Sequence, residues 1–389
     1  GKHMKLFKRL LCGALIAALL LPAAMAAPSE SSFPDTQGHW AQEQIEAAVR
    51  SGWVNGYPDG TFRPDATVTR AEFVKMLLDA EDIYPNSWAT QWLKKQNTSN
   101  QGPLNDMKNH WLTKAELTDA ALATGIVVAD DYYKHNFQPE QAIARYEIAL
   151  MADRALGLVY PATHKENLDL SFTDKSRIQN WMLGYVKEAT DLGILKGYPD
   201  GSFGPKKTAT RAEAVVIVSR VISEMTKGLE KAPITVVFQN SSSNPPHTTK
   251  VMKNVTYLNI DGTFYISARL LLQGWYDCDD YDSYGFYDDP VTWDPITQCV
   301  GGPPSSFSVS AFYPGTTAYN FNRSEYQVYG YEKSMKLVDQ FIAPARMLSG
   351  EVMIPVYSET GDSGWKSSYD NTTGILTLWL ADAVSHPIT

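Results

Sequence analysis

Apolar positions recur at helical spacing through the first part of the chain and at strand spacing through the rest. Ala41, Ile45, Ala48 and Val49 mark one amphipathic helix, and Phe73, Met76, Leu77 and Ala80 mark a second. Val186, Ala189 and Leu192 mark a third, and Ala214, Ile217, Val218 and Val221 a fourth. Gly52, Gly125 and Gly193 stand where such helices should stop. From about Ala232 the pattern turns to short β-prone runs, such as Ile234 to Phe238 and Ile375 to Trp379, set apart by Asn, Ser, Gly and Pro. The chain is therefore expected to be multidomain, with a helical region followed by an α+β, β-rich domain.

The helical region repeats itself. Phe33-Pro34-Asp35 with His39-Trp40 opens one unit, Leu104-Asn105-Asp106 with His110-Trp111 a second, and Phe172-Thr173-Asp174 with Asn180-Trp181 a third. The tryptophans fall 71 and 70 residues apart. After the first helix of the outer units comes Gly56-Tyr57-Pro58-Asp59-Gly60-Thr61-Phe62 or Gly197-Tyr198-Pro199-Asp200-Gly201-Ser202-Phe203. Proline presets φ at the second turn position and glycine suits the fourth, so each string predicts a tight loop. Thr69-Arg70-Ala71-Glu72 and Thr210-Arg211-Ala212-Glu213 then precede the second helices as capping boxes, placing each arginine at the first helical position beside the loop. The middle unit departs from both strings: its loop runs from Asp130 to Phe137, and its cap reads Ala144-Arg145-Tyr146-Glu147.

These ordered motifs closely resemble the S-layer homology family over about residues 33 to 222. The resemblance implies an all-α triplet with pseudo-threefold symmetry, divided here as 28–103 with an insertion, 104–165 (divergent) and 166–230. It also implies grooves between neighbouring repeats that bind secondary cell-wall polysaccharide, often pyruvylated, and so anchor exported proteins on Gram-positive bacteria. The family's positions fall on Asp35, Trp40, Gly56 and Arg70 in the first unit and on Asp174, Trp181, Gly197 and Arg211 in the third. In the middle unit only Asp106, Trp111 and Arg145 match. Residue chemistry agrees with the role: a pyruvyl carboxylate suits a guanidinium fork, hydroxyls suit an aspartate, and a sugar ring suits a tryptophan face. Each position also has a purely structural use, the tryptophans as core anchors, the aspartates as caps, the arginines as partners of a neighbouring carboxylate, and the glycines as turn formers.

The C-terminal region, 231–389, holds two similar halves. Tyr265 to Arg269, Gly274-Trp275 and Trp293-Asp294 are echoed by Met353 to Val356, Gly364-Trp365 and Tyr369-Asp370. The halves look like a module named for the N-terminal, noncatalytic domain of copper amine oxidases, which implies a stalk or interaction domain. Copper chemistry needs a histidine cluster, and only His247 and His386 lie beyond residue 230. An insertion over 275–300 carries Asp277, Asp279, Asp280, Asp282, Asp288 and Asp289 without EF-hand spacing, which makes it a solvated acidic loop or a calcium site; no metal is assigned. Cys278 and Cys299 bracket it and are expected to form a disulfide in an exported chain.

Met4-Lys5-Leu6-Phe7-Lys8-Arg9, an apolar run from Leu10 to Leu21 and Ala24-Met25-Ala26 read as a signal peptide over 1–26, with Gly1-Lys2-His3 resembling a cloning remnant. Removing Lys2, Lys5, Lys8 and Arg9 with no acidic residue carries the net charge from −9 to −13. That sign argues against a nucleic-acid partner held by bulk positive potential, and no later stretch looks transmembrane. Gly361-Asp362-Ser363-Gly364 resembles a protease nucleophile loop, but no histidine stands in a matching context, and no metalloprotease, nucleophile-elbow or phosphate-loop string occurs. The expectation is a noncatalytic, cofactor-free protein of the cell wall or S-layer. Its expected partners are pyruvylated wall polysaccharide, with peptidoglycan or S-layer proteins beside it. A wall-targeted hydrolase and a surface receptor, each acting through the C-terminal domain, are the alternatives.

Overall fold

The computed structural model describes residues 33–83, 88–95, 102–240, 247–271, 292–301, 308–312, 318–322, 337–340, 343–361 and 366–379. The leader, Cys278, most of the acidic insertion and Asp362-Ser363-Gly364 lie outside the described residues.

The helices are α1 (Gln42–Ser51), α2 (Arg70–Ala80), α3 (Trp88–Lys95), α4 (Trp111–Lys114), α5 (Leu117–Ala123), α6 (Arg145–Ala155), α7 (Val159–Thr163), α8 (Asn180–Asp191) and α9 (Arg211–Met225). One apolar cluster runs through all three units, from Ala41 and Ile45 through Ile148 and Ala152 to Val218 and Val221.

The capping threonines make the entries of α2 and α9. Thr69 Oγ1 accepts from the Glu72 amide while Glu72 Oε2 accepts from the Thr69 amide, and Thr210 and Glu213 repeat the exchange. The next two amides of each helix, which would otherwise be orphans, donate to a neighbouring unit. Arg70 and Ala71 amides reach Gln141 O and Pro139 O, those of Arg145 and Tyr146 reach Lys207 O and Pro205 O, and those of Arg211 and Ala212 reach Ala66 O and Pro64 O. First bonds to second, second to third, and third back to first. Antiparallel bridges Thr69↔Ala142, Ala144↔Thr208 and Thr67↔Thr210 close the same ring.

At α6 only half of the cap survives, because Glu147 Oε2 accepts the Ala144 amide but alanine offers no oxygen in return. Ala144 already has the extended backbone of Thr69, so Ala144→Thr should stabilise the chain by about 1 kcal/mol, read as a rise in thermal midpoint.

The strands are β1 (Ile234–Asn240), β2 (His247–Val255), β3 (Leu258–Ile260), β4 (Thr263–Ser267), β5 (Thr292–Asp294), β6 (Cys299–Gly301), β7 (Ser308–Phe312), β8 (Ala318–Asn322), β9 (Leu337–Gln340), β10 (Arg346–Leu348), β11 (Glu351–Ser358), β12 (Ser367–Asp370) and β13 (Ile375–Trp379). They form sheets in the orders β12-β13-β1-β2, β10-β11-β4-β3 and β5-β6-β7-β8-β9. The two halves of the domain interlock: β4 pairs antiparallel with β11, setting Ile266 opposite Ile354, and β1 pairs parallel with β13. Alternate residues Ile234, Val236 and Phe238 of β1 point into a second core with Ile266, Ile354 and Leu376.

The two regions share a continuous seam. Leu93 of α3 and Ala123 of α5 are members of the second core, so the insertion of the first unit packs against the C-terminal domain. The Asn259 amide donates to Gly228 O at 2.7 Å, and Leu229 bridges Leu258. Cys299 is buried on β6, and its expected partner Cys278 lies outside the described residues.

Candidate functional site

Each unit's opening aspartate closes that unit's own loop. Asp35 accepts from the amides of Phe62 and Arg63, Asp106 from Phe137 and Gln138, and Asp174 from Phe203 and Gly204, at 2.6 to 3.2 Å. Burial opposes ionisation of Asp35 and Asp174, but these amide bonds outweigh it and hold both carboxyls below their ordinary value. The aspartates therefore serve as loop-closing acceptors, bonded to amides of their own unit's loop.

Gly56 and Gly197 are required by an aromatic ring. A Cβ on Gly56 would stand 2.1 Å from the Phe33 ring, and one on Gly197 2.6 Å from the Phe172 ring. The loops tighten further where Asp59 accepts from the Thr61 hydroxyl and amide, bonds that hold its carboxyl down at about 2. Asp200 and Ser202 repeat the turn.

The tryptophans stand outside the core. Trp40 is 62% exposed, Trp111 40% and Trp181 45%, each at the start of a unit's first helix. Their faces are open to a flat ligand.

The arginines cross between units, which motif spacing alone does not reveal. Arg145 Nε donates to Phe203 O at 2.9 Å and its Nη2 to Lys196 O at 2.5 Å, so the middle unit's arginine faces the third unit's loop. Arg211 does the same to the first unit, through Phe62 O at 3.0 Å and Asn55 O at 3.1 Å. Arg70 lies against the divergent middle loop. Its Nη1 donates to Phe137 O at 2.9 Å, but its Nε is turned to Glu147 Oε1 at 2.5 Å. Each junction between units thus combines one unit's arginine with the next unit's loop. The groove with the degenerate loop is the one that holds Arg70, and Arg145 faces a complete Gly-Tyr-Pro-Asp-Gly string.

The loop tyrosine completes each groove. The Arg145 guanidinium lies 4.7 Å from the Tyr198 ring centre, with Lys207 Nζ at 3.9 Å from the same ring. Arg211 lies 4.8 Å and Arg63 3.8 Å from Tyr57, and Arg63 also pairs with Asp59 at 3.1 Å. Arg70 lies 5.4 Å from Tyr132. Burial lowers the proton affinity of Arg145 and Arg211, yet guanidinium stays charged at any ordinary pH. Both donate to backbone carbonyls, while Glu213 and Asp174 act on Arg145, and Glu72 on Arg211, by charge without an ion pair among the described residues. Sequence reading missed these tyrosines, Lys207 and Arg63, although the tyrosine is written in both intact loop strings.

The comparisons with known proteins meet this geometry. Two segments, residues 32–74 and 171–215, match the S-layer homology domain. They cover the first and third units; the divergent middle unit falls between them. An exoglucanase XynX of Acetivibrio thermocellus is 34% identical over 48% of this chain and 16% of its own length. S-layer protein EA1 of Bacillus anthracis is 30% identical over 56% of the chain and 23% of its own length. A cellulosome-anchoring protein of Acetivibrio thermocellus is 27% identical over 52% of the chain and 42% of its own length. The chain spans less than half the length of these relatives. Among the described residues no helix is long and apolar enough to cross a membrane, and no group of three or more His, Cys, Asp or Glu is placed to hold a metal ion.

Proposed function

We propose that the chain is a cell-surface protein whose S-layer homology units anchor it to an acidic wall polysaccharide, with the middle unit read as a divergent third repeat. The observation that carries this reading is the arginine relay between units. At two of the three junctions between units a guanidinium beside a tyrosine, half-buried in Arg145 and buried in Arg211, has no carboxylate in ion-pair contact among the described residues, which suits the carboxylate of a pyruvylated sugar. An exposed tryptophan in each unit offers a surface for the sugar ring. Held in this way, an acidic chain can bind an acidic polymer because fixed local charge, not net charge, decides the contact.

The relatives support an anchoring role independent of any one activity. An exoglucanase, an S-layer protein and a cellulosome-anchoring protein share similar stretches with this chain, so the shared stretch tracks surface attachment and not one reaction. The C-terminal domain is then the displayed part, a noncatalytic module of the amine-oxidase N-terminal type that faces outward or helps assemble a layer.

The test is co-sedimentation of the full chain with purified cell walls, before and after the attached polysaccharide is stripped away. The chain should pellet with intact walls and stay in solution with stripped ones. Equal binding to stripped walls would move recognition to peptidoglycan and overturn the reading.

A further inference from the structure

The helix-end glycines of the three units occupy equivalent corners, and among the described residues only one corner is covered. Gly52, Gly125 and Gly193 all have left-handed backbone, with φ of +81, +76 and +70°. A Cβ built on Gly52 or Gly193 meets nothing within 4 Å, whereas one on Gly125 stands 2.0 Å from Pro295 O. The covering segment is the turn between β5 and β6, Asp294 to Gln298, from the C-terminal domain.

That turn, with Trp293 beside it, adds donors at the middle unit's helix ends, where Arg154 O also accepts from the Gly157 amide. The last carbonyls of a helix have no partner within the helix. Buried Trp293 donates its Nε1 to Ala123 O at the end of α5, at 2.6 Å. Buried Gln298 donates its amide to Arg154 O near the end of α6 at 2.6 Å, and more weakly to Thr124 O at 3.4 Å. Gln298 does so from a left-handed backbone, φ +56°, a conformation that favours glycine. Strain of this kind persists where surrounding contacts over-determine it, and here the side chain provides them.

We propose that the middle unit is the socket for the C-terminal domain. Its corner at Ala123 to Gly125 and the end of α6 receive the turn from Asp294 to Gln298, and the repeat region and the C-terminal domain fold and melt as one block. The same unit keeps Arg145 turned to the third unit's loop, so the socket and that junction lie on separate parts of it.

Hydrogen exchange during thermal melting of the full chain tests this. In the unaltered protein, peptides from α5 and α6 should lose protection together with those from β4 and β11. Gln298→Gly removes backbone strain, and as a mere turn residue it would raise the midpoint; as a socket residue it should lower it by several degrees and let the strands melt before the helices. Gly125→Ala should do the same, while Gly52→Ala and Gly193→Ala, which carry the same φ penalty without the collision, should lower the midpoint without splitting the transition. Should Gly125→Ala fail to fold, Gln298→Gly and the unaltered chain still decide. Separate melting of the two regions in the unaltered chain, a raised midpoint for Gln298→Gly, or Gly125→Ala behaving like Gly52→Ala would overturn the proposal.

Discussion

Arg70→Ala should destabilise the chain by about 3–5 kcal/mol, because it strands the Glu147 carboxylate in a buried seam. Arg70 is 6% exposed and Glu147 3%, and the two meet through Nε and Oε1. Burial pushes the Glu147 carboxyl up even with the Arg70 and Ala144 bonds opposing it, so desolvation outweighs attraction at this pair. The ion pair is therefore costly to break and contributes little as a whole. Replacing both partners, as Arg70→Met with Glu147→Leu, should cost less than Arg70→Ala, the remaining loss being the α6 cap bond from the Ala144 amide. The sign with pH follows from the direction of the shift. Without Arg70 the folded carboxyl titrates further above its unfolded value, so the loss should be smallest at low pH, where only the bonds to Phe137 O and Gln141 Oε1 are missing, and grow as pH rises through the folded value. Denaturant titrations of the single and double variants at acidic and neutral pH measure both effects. A loss that is the same at every pH would show that Glu147 is not the stranded group.

Arg145→Ala should weaken binding of an acidic wall polysaccharide by roughly tenfold to a hundredfold, the worth of a charge-assisted hydrogen bond. Arg145 is the most available of the three guanidiniums, being only half-buried, and Lys207 shares its tyrosine without a carboxylate recorded in contact with either. Arg145→Lys should recover only part of the loss, since a single ammonium cannot reproduce the planar fork. Arg211→Ala should act in the same direction. The Arg70→Met, Glu147→Leu double variant should bind like the unaltered chain, because that groove's charge is already neutralised. Loss of binding by the double variant, with Arg145→Ala harmless, would reverse the assignment of the grooves. Melting curves on each variant separate lost binding from lost fold.

Sequence strings carried local structure well here and long-range pairing poorly. Asp59 to Thr61 and Thr69 to Glu72 are bonded within a few residues, so spacing alone placed them on a turn and a cap. Arg211 finds Phe62 O 149 positions away, and nothing in either string marks the partner. Grouping Asp35, Trp40, Gly56 and Arg70 as one set followed the order of the motif, whereas the fold sends Arg70 to the middle loop and brings Arg211 to Phe62 in its place. The aspartates were legible as caps or ligands, and their bonds to the loop amides of Phe62, Phe137 and Phe203, about 30 positions on, were not written in either string. Trp293 was legible as the start of a Trp-Asp turn, but its bond to Ala123 O joins residues 170 apart in two regions. The insertion after α2 had no function legible in sequence, because Leu93 on it serves the other domain's core.

The central claim is that buried guanidinium between repeats recognises a carboxylate on the wall polymer. Calorimetric titration of the full chain with polysaccharide fragments, pyruvylated and enzymatically stripped of pyruvate, tests it most directly. Saturable binding of the pyruvylated form, at no more than two fragments per chain and lost when the ketal is removed, is the predicted result. Equal affinity for both forms would contradict it.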